Sequence, residues 1–188
     1  MILTHRYRLL PLKSQHRALE RLCEAQRQLY NAALEERIDF HRKTGKTHTY
    51  IDQCKALTQC RREMPEMGEL PLKLQRWTLK RLDDAFQGFF RRLKARSGKA
   101  GFPRFRGKGR WDAFGFSEFI GIRFDGKRLR FAGMPGGLKV HLHRPLPNEA
   151  ATAAGRCVRW SRDCTARSRT RATLGCISSR PRSLSAPT

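Results

Sequence analysis

Length, composition and charge limit what this chain does: its 188 residues are 39% hydrophobic, and 40 Lys and Arg against 16 Asp and Glu give a net charge of +24. We expect one ordinary domain or two small ones with a polyanionic partner: nucleic acid first, an anionic membrane surface second, and a ribosomal or histone-like packing role third. No apolar run approaches the roughly 20 residues of a membrane span and no signal peptide is seen, so the sequence predicts a cytoplasmic protein without a membrane partner.

The N-terminal half predicts one strand followed by three helices. Apolar and polar residues alternate from Leu3 to Leu9, which is typical of a half-buried strand, and Pro11 ends the alternation. Apolar residues then recur every three or four positions; Ser14 can cap the first helix and Thr49 precedes the second as a weak capping box. The helices are expected over residues 14–45, 49–65 and 71–98.

After Gly101 the apolar period changes to two, which predicts short antiparallel strands. Asp125-Gly126 is a strong two-residue hairpin signal, and Gly136-Gly137 marks another turn. The next strand alternates apolar residues with Lys139 and His141, so one of its faces is basic. The first strand must pair with these late strands, because unpaired strand edges are costly. We therefore expect an α+β fold in which the helices are inserted into a small β-barrel or sheet.

The sequence contains no recognisable constellation for catalysis or metal binding. The six cysteines form no CxxC pair, and they are interpreted as buried or idle thiols in a reducing compartment. His141 and His143 are two possible metal ligands without an evident third. Asp83 and Asp84 point about 100° apart on a helix and are interpreted as solvated and paired with neighbours such as Lys80. We expect no enzyme activity, no metal and no cofactor.

The stretch GFPRFRGKGRW, residues 101–111, combines basic and aromatic residues, which neutralise phosphates and stack on exposed bases respectively. Phe102 and Phe105 are interpreted as anchors in the core, and Pro103 as a stiffener that lowers the entropy lost on binding. The third helix and the strand with Lys139 offer further basic surfaces. The alternative interpretation of each is a solvated face that binds no ligand. The candidate nucleic-acid contacts, with Trp111 as a stacking ring, are Lys73, Arg76, Lys80, Arg91, Arg104, Arg106, Lys108, Arg110, Lys139 and His141.

Five motifs follow one another along the chain: LYNAAL at 29–34, LTQCRREMPE at 57–66, LKRLDDAFQGFFRRLK at 79–94, GFPRFRGK at 101–108 and KVHLHRPLP at 139–147. In this order they resemble the N-terminal part of the insertion-sequence OrfB/TnpB family of transposase-associated proteins. The resemblance covers about residues 2–147. Its specific feature is the Ala-Phe-x-x-Phe-Phe helix followed closely by GFPRF, since each half alone is a weak signal.

The resemblance implies both a fold and partners. Members of the family are transposon-encoded RNA-guided DNA endonucleases, related to type V CRISPR effectors. Their N-terminal region is a wedge β-barrel interrupted by a helical recognition domain, and it binds guide RNA, its heteroduplex with target DNA, and a short motif beside the target. DNA and a guide-type RNA are thus the expected partners, with Tyr50, Arg76 and Ser117 near the motif-reading surface. The expected divisions are a first barrel strand at 1–12, an inserted three-helix, helix-turn-helix-like domain at 13–98, the remaining barrel strands at 99–147 and a disordered, irregular tail at 148–188.

The chain departs from the family in its C-terminal part. The RuvC-like carboxylates and the CxxC zinc ribbon of the family belong to a C-terminal half and are not found in these residues. We expect a truncated, non-catalytic portion of a protein involved in DNA transposition, with zinc and magnesium only in the missing half. After Cys164 the apolar pattern and the lysines disappear, which favours a shifted reading frame over a genuine disordered RNA-binding tail. Two alternatives stay open: one half of a split enzyme, and a generic basic RNA- and DNA-packing protein.

Overall fold

The computed structural model describes residues 2–95, 100–111, 113–116, 122–142, 158–161 and 171–178, and the side chains among these from Tyr7 to Leu142. The helices are α1 (Lys13–Thr44), α2 (Tyr50–Glu63), α3 (Pro65–Glu69) and α4 (Leu72–Ala95). The strands are β1 (Ile2–Leu10), β2 (Ala113–Phe116), β3 (Ile122–Phe124), β4 (Arg128–Phe131), β5 (Leu138–His141), β6 (Val158–Ser161) and β7 (Arg171–Ser178). Within these ranges no helix is long and apolar enough to cross a membrane.

The first helix begins and ends at signals that are local in sequence. The predicted Ser14 cap is wrong: α1 starts at Lys13, and the side chain of Gln15 accepts a hydrogen bond from the Leu12 amide at 3.0 Å. At the other end Gly45 adopts φ 68°, a left-handed conformation that glycine takes without steric cost. Its amide donates to the carbonyl of His41 at 2.8 Å, which closes the last turn.

The second predicted helix cap is confirmed. The Thr49 hydroxyl accepts from the Asp52 amide at 3.3 Å, and the Asp52 carboxylate accepts from the Thr49 amide at 3.2 Å, which is a reciprocal capping box. Hydrogen bonds from Thr49, that of the hydroxyl foremost, lower the pKa of Asp52. After α2 the chain forms the short α3, which the sequence pattern did not predict, because five residues carry no helical period.

The strands pair antiparallel in the order β2-β6-β7-β1-β5-β4-β3. The first strand thus lies in the middle of the sheet, and the prediction that it pairs with late strands is confirmed by its register with β5, where Leu9 faces Val140. The hairpin signal is also confirmed: β3 and β4 pair on either side of a turn in which Gly126 has φ 83°. The helices are therefore an insertion between β1 and the rest of the sheet.

The sheet curls, although its described strands do not close. β2 and β4 are remote in the strand order, yet the rings of Phe114 and Phe116 on β2 lie 5.9 and 5.4 Å from the ring of Phe131 on β4. Such side chains can meet only if one end of the sheet folds over the other. A wedge-type barrel remains a prediction, since β2 and β3 are the two ends of the described order.

The predicted irregular tail at 148–188 is wrong for two segments. Val158–Ser161 is strand β6, and Arg171–Ser178 is strand β7, which pairs with β1 from Ile2↔Ser178 to Arg8↔Arg171. Two vacant edges explain the difference: β1 and β2 each present a row of unpaired backbone groups, and β7 and β6 satisfy them. The reading-frame prediction stays untested.

The helix α4 packs against both α1 and α2. Leu74 and Leu82 of α4 are fully buried, as are Leu19 and Leu34 of α1. A buried polar link joins three helices: the Arg37 guanidinium of α1 donates to Gln53 of α2 at 2.7 Å and to Asp83 of α4 at 3.2 Å. The link therefore ties α2 and α4 to α1, and the Arg37 guanidinium also lies over the Phe86 ring of α4 at 5.0 Å.

Candidate nucleic-acid interface

Residues 101–110, the basic loop, are held against the middle of α1 by Asn31 and Arg27. The Asn31 side chain accepts from the Arg106 amide at 2.8 Å and donates to the Arg106 carbonyl at 3.0 Å. Arg27 donates to the same carbonyl at 2.9 Å. Satisfying a backbone amide and carbonyl together fixes the peptide as a strand partner would. Asn31 lies in the LYNAAL motif, whose role in positioning the loop is not visible from sequence spacing.

The basic side chains of the loop are exposed, and that of Arg106 also lies 5.7 Å from the Tyr30 ring centre of α1. Arg104, Arg106, Lys108 and Arg110 are all exposed, and none forms an ion pair with a described residue. A turn closed by the Arg110 amide and the Gly107 carbonyl at 3.1 Å gives the loop a defined shape. Four like charges close in sequence repel one another, and the phosphates of a polyanion would relieve that repulsion.

The acid near the loop is already neutralised. Glu24 of α1 lies 2.6 Å from the Arg27 guanidinium. The hydrogen bonds from Arg27 are the main cause that lowers the pKa of Glu24, and the charge of Lys108 adds to the effect. Glu24 therefore stays ionised but is paired with a residue outside the loop, so the loop keeps an excess of positive charge.

Trp111 does not have the predicted stacking role, because its side chain is buried at 3% exposure. Its ring lies 5.1 Å from the Tyr30 ring of α1, and the Arg81 guanidinium of α4 lies over it at 4.7 Å. Both contacts leave the ring out of reach of a base. Trp111 instead anchors the end of the basic loop between the two long helices.

The predicted core anchors of the loop are also wrong. Phe102 and Phe105 are 46% and 56% exposed, so neither ring is in the core. A period-two or period-three pattern identifies buried rings only inside a regular element, and the loop has none. The anchoring role belongs to Asn31 and Trp111, whereas these two rings are at the surface.

The basic residues of α4 do not form one surface. Lys80 lies 2.9 Å from Asp84 and 3.3 Å from Asp83, and its pKa is raised, chiefly by the hydrogen bond to Asp84. This pairing confirms the prediction for both acids, although Asp83 is largely buried rather than solvated. Arg91 is exposed near the C-terminal end of α4, where the helix dipole favours cations. No described acid pairs with it.

Two residues assigned by family resemblance lie together. Tyr50, at the start of α2, feels the charges of Arg76 and Lys80 of α4, and the Lys80 amine lies 5.8 Å from the Tyr50 ring centre. Burial is the main cause that raises the pKa of Tyr50 to about 12, so its hydroxyl is neutral at physiological pH. Lys73 and Arg76 are half-buried. Ser117, the third residue of that assignment, lies outside the described residues.

The sheet carries a basic surface larger than the sequence predicted. Lys139 and His141 are exposed on β5, and the antiparallel register places Arg128 of β4 opposite Lys139. It also places Arg123 opposite Arg130. We call this surface the basic strand face; its residues are Arg123, Arg128, Arg130, Lys139 and His141. The three arginines were missed because facing partners depend on register, which periodicity alone does not provide.

Like charges facing each other across strands destabilise a sheet. The acid described at this surface, Asp125, lies 3.7 Å from Arg130. Its carboxylate accepts from the amides of Arg128 at 2.6 Å and Lys127 at 3.1 Å, and these bonds lower its pKa. Asp125 thus stabilises the hairpin turn, and the basic strand face keeps a net positive charge.

The described cysteines and acids do not assemble a metal site. Cys23, Cys54 and Cys60 are free thiols, and no group of three or more His, Cys, Asp or Glu within the described ranges could hold a metal ion. The other three cysteines have no described side chains.

A comparison with protein-family models finds a match in the N-terminal region. Residues 1–46 match the family model of the helix-turn-helix domain of IS605 OrfB proteins. The match supports the resemblance seen in the motifs for the N-terminal region, which is similar to these helix-turn-helix domains, and it suggests DNA binding in a transposase-related function. No curated protein matches the chain. The matched residues form β1 and α1, and the next helix, α2, begins after the turn at Gly45.

Proposed function

We propose that this chain is a nucleic-acid-binding region of a TnpB-like transposase, holding DNA and a guide-type RNA on the basic loop and the basic strand face. The observation that carries the proposal is the clamped loop: three hydrogen bonds hold one residue of the loop, Arg106, by its backbone, while the four cations of the loop have no described ion-pair partner. A loop that needs no ordering on binding loses less entropy, so its phosphate contacts gain in affinity.

The family resemblance supplies the finer part of the proposal. It assigns the cutting of DNA to carboxylates of a C-terminal half, and the 188 residues do not contain those motifs. We expect the chain to bind DNA and structured RNA without hydrolysing either, and without a metal requirement for binding. Hydrolysis of DNA by the purified chain would contradict this part and leave the binding surfaces unaffected.

The test of binding is its salt dependence. Fluorescence anisotropy with a labelled duplex DNA gives the dissociation constant over about 50–200 mM salt, and each phosphate contact contributes about 0.7–0.9 to the slope of the log–log plot. The variant Arg104→Ala/Arg106→Ala/Lys108→Ala should flatten the slope by that amount for each phosphate that is no longer neutralised. The control Lys13→Ala/Arg17→Ala/Arg21→Ala removes the same charge from exposed positions of α1. Equal slopes for the two variants would remove the basic loop from the interface.

A generic packing protein is the second candidate, favoured by the net charge of +24. The two functions differ in selectivity, because charge alone binds every polyanion alike. Competition between a structured transposon RNA and random RNA of equal length separates them. Preferential displacement by the structured RNA is expected, and equal displacement would support packing instead.

A further inference from the structure

A cluster of four phenylalanines lies where the end of α4 meets the basic loop. The ring of Phe102 contacts the rings of Phe86 and Phe89 edge-on, at 5.5 and 5.3 Å, and Phe90 lies 5.3 Å from Phe89. Phe86 is buried, whereas Phe90 and Phe102 are 39% and 46% exposed. Half-exposed rings packed together form an apolar surface of the kind that marks a binding site. We call Phe90 and Phe102 the aromatic platform.

The phenylalanines of β2 and β4 are covered, in contrast to the two exposed rings of the cluster. Phe114, Phe116 and Phe131 of the sheet are between 1% and 7% exposed. The sheet thus buries these three phenylalanine rings, whereas Phe90 and Phe102 of the cluster remain at the surface. Phe105, which is 56% exposed, adds a third exposed ring on the same loop.

The platform is held in place from both sides. The Arg92 guanidinium of α4 donates to the Gly101 carbonyl at 3.3 Å, next to Phe102. Four residues further on, the loop is clamped to α1 at Arg106, and Pro103 restricts the backbone between these points. A ring fixed before binding stacks on a partner without the entropy cost of its own ordering.

The surroundings of the platform determine what can occupy it. No acidic residue occurs from residue 85 to residue 111, and the exposed cations there include Arg91, Arg92, Lys94, Arg104 and Arg106. The occupant must present flat apolar groups together with negative charge. Unpaired nucleobases on a phosphate backbone meet both conditions, whereas the bases of a duplex are already stacked and hide their faces.

We propose that the aromatic platform stacks unpaired bases of a single-stranded nucleic acid, with Phe105 beside it and Arg92, Arg104 and Arg106 neutralising the flanking phosphates. The proposal rests on the nucleic-acid binding proposed above and adds the strandedness of the ligand at this site. Single-stranded and duplex ligands therefore test the two proposals separately.

The experiment compares, by fluorescence anisotropy, a labelled oligo(dT) strand with a labelled DNA hairpin whose stem is closed by a non-nucleotide linker, so that the hairpin presents no unpaired bases. The variant Phe102→Leu/Phe105→Leu keeps apolar side chains and all charges but removes two rings. Loss of a stacked ring should weaken oligo(dT) binding about fivefold or more per ring, with hairpin binding and the salt slope unchanged. Leu12→Ala, which alters a side chain 68% exposed on another part of the chain, is the matched control and should change neither. Phe102→Trp should retain binding.

The comparison of oligo(dT) with the hairpin also distinguishes failure of the platform proposal from failure of the proposed function. If the unchanged chain binds the hairpin but not oligo(dT), the platform proposal fails and the proposed function stands; if it binds neither, both fail. Equal weakening for both ligands, or none for oligo(dT), would also overturn the platform. A loss confined to sedimentation with anionic phosphatidylserine vesicles would reassign the rings to a membrane surface. Thermal unfolding of every variant identifies any that does not fold, and in that case Phe90→Leu replaces it in the same comparison.

Discussion

Charged residues of the helical region mostly bond to groups of the same chain, whereas those of the basic loop and the basic strand face are turned to solvent. In the helical region Arg27 is paired with Glu24, Arg37 with Asp83, and Lys80 with Asp84. In the loop none of the four cations has a described ion pair, and on the strand face arginine faces arginine. The same residue types thus stabilise the fold in one region and oppose it in the other. Charge retained against stability points to a ligand, which is why the second region is assigned the binding role.

Removing the buried charge of Arg37 should have the largest effect on the free energy of unfolding. Arg37→Ala removes the charged partner of the buried Gln53 oxygen and of Asp83, which keeps only the exposed Lys80 at 3.3 Å, and we expect it to lower the free energy of unfolding by about 3–5 kcal/mol. Urea unfolding followed by circular dichroism measures this. Arg42→Ala is the control, because Arg42 pairs with Asp39 at the surface and should cost about 1 kcal/mol or less. Similar losses of stability in both variants would show that burial of the Arg37 pair does not matter.

The hydrogen bonds between Asn31 and Arg106 connect the helical region to the basic loop. A variant at Asn31 therefore tests binding separately from stability. Asn31→Ala removes two hydrogen bonds to Arg106 at an exposed position, so folding should change little. Binding to duplex DNA should weaken by about twofold to tenfold, since the loop must now be ordered on binding. The salt slope should stay unchanged, because every cation of the loop is still present. A flattened slope would mean that the Asn31 variant neutralises fewer phosphates, rather than that its loop is less ordered.

Relieving the repulsion on the basic strand face should have opposite effects on folding and binding. Arg123→Thr removes the charge facing Arg130 and places a β-branched residue in β3. We expect the free protein to gain about 0.2–1 kcal/mol of stability while its affinity for nucleic acid falls. Chemical unfolding and anisotropy on one preparation measure both quantities. A variant that loses stability and affinity together would show that Arg123 serves the fold.

The smallest effect expected at neutral pH concerns Tyr50, whose contribution changes only under alkaline conditions. Its pKa in the folded protein, about 12, lies above the ordinary value of 10.0, so the folded state holds the proton more tightly than the unfolded state. Its contribution to stability is therefore complete below pH 10 and is lost as the pH rises towards 12. Tyr50→Phe should reduce the fall in stability over that range relative to the unchanged chain. Identical pH dependence of the unfolding free energy in the two proteins would show that burial does not raise the pKa of Tyr50.

Local sequence patterns predicted the positions of helices and strands better than they predicted which segments pack against each other. Alternation from Leu3 to Leu9 and the Thr49 capping box depend on neighbouring residues, and both are confirmed. The buried Trp111 and the exposed Phe102 were predicted the wrong way round, because the packing of a loop ring depends on helices distant in sequence. The strand β7 was missed for the same reason: its place is set by the free edge of β1.

Composition and short-range patterns were enough to predict the three longer helices, the hairpin, the excess of positive charge and the resemblance of the N-terminal region to a known family, since all of these depend on residue content or on residues a few positions apart. Which charges are paired within the protein, and which are not, depends instead on how the chain packs. Packing brought Asn31 to Arg106 and Arg123 to face Arg130, and it left the aromatic platform at the surface. The reason is physical: pairing, register and burial are properties of contacts between distant segments, and a linear pattern does not specify which segments meet.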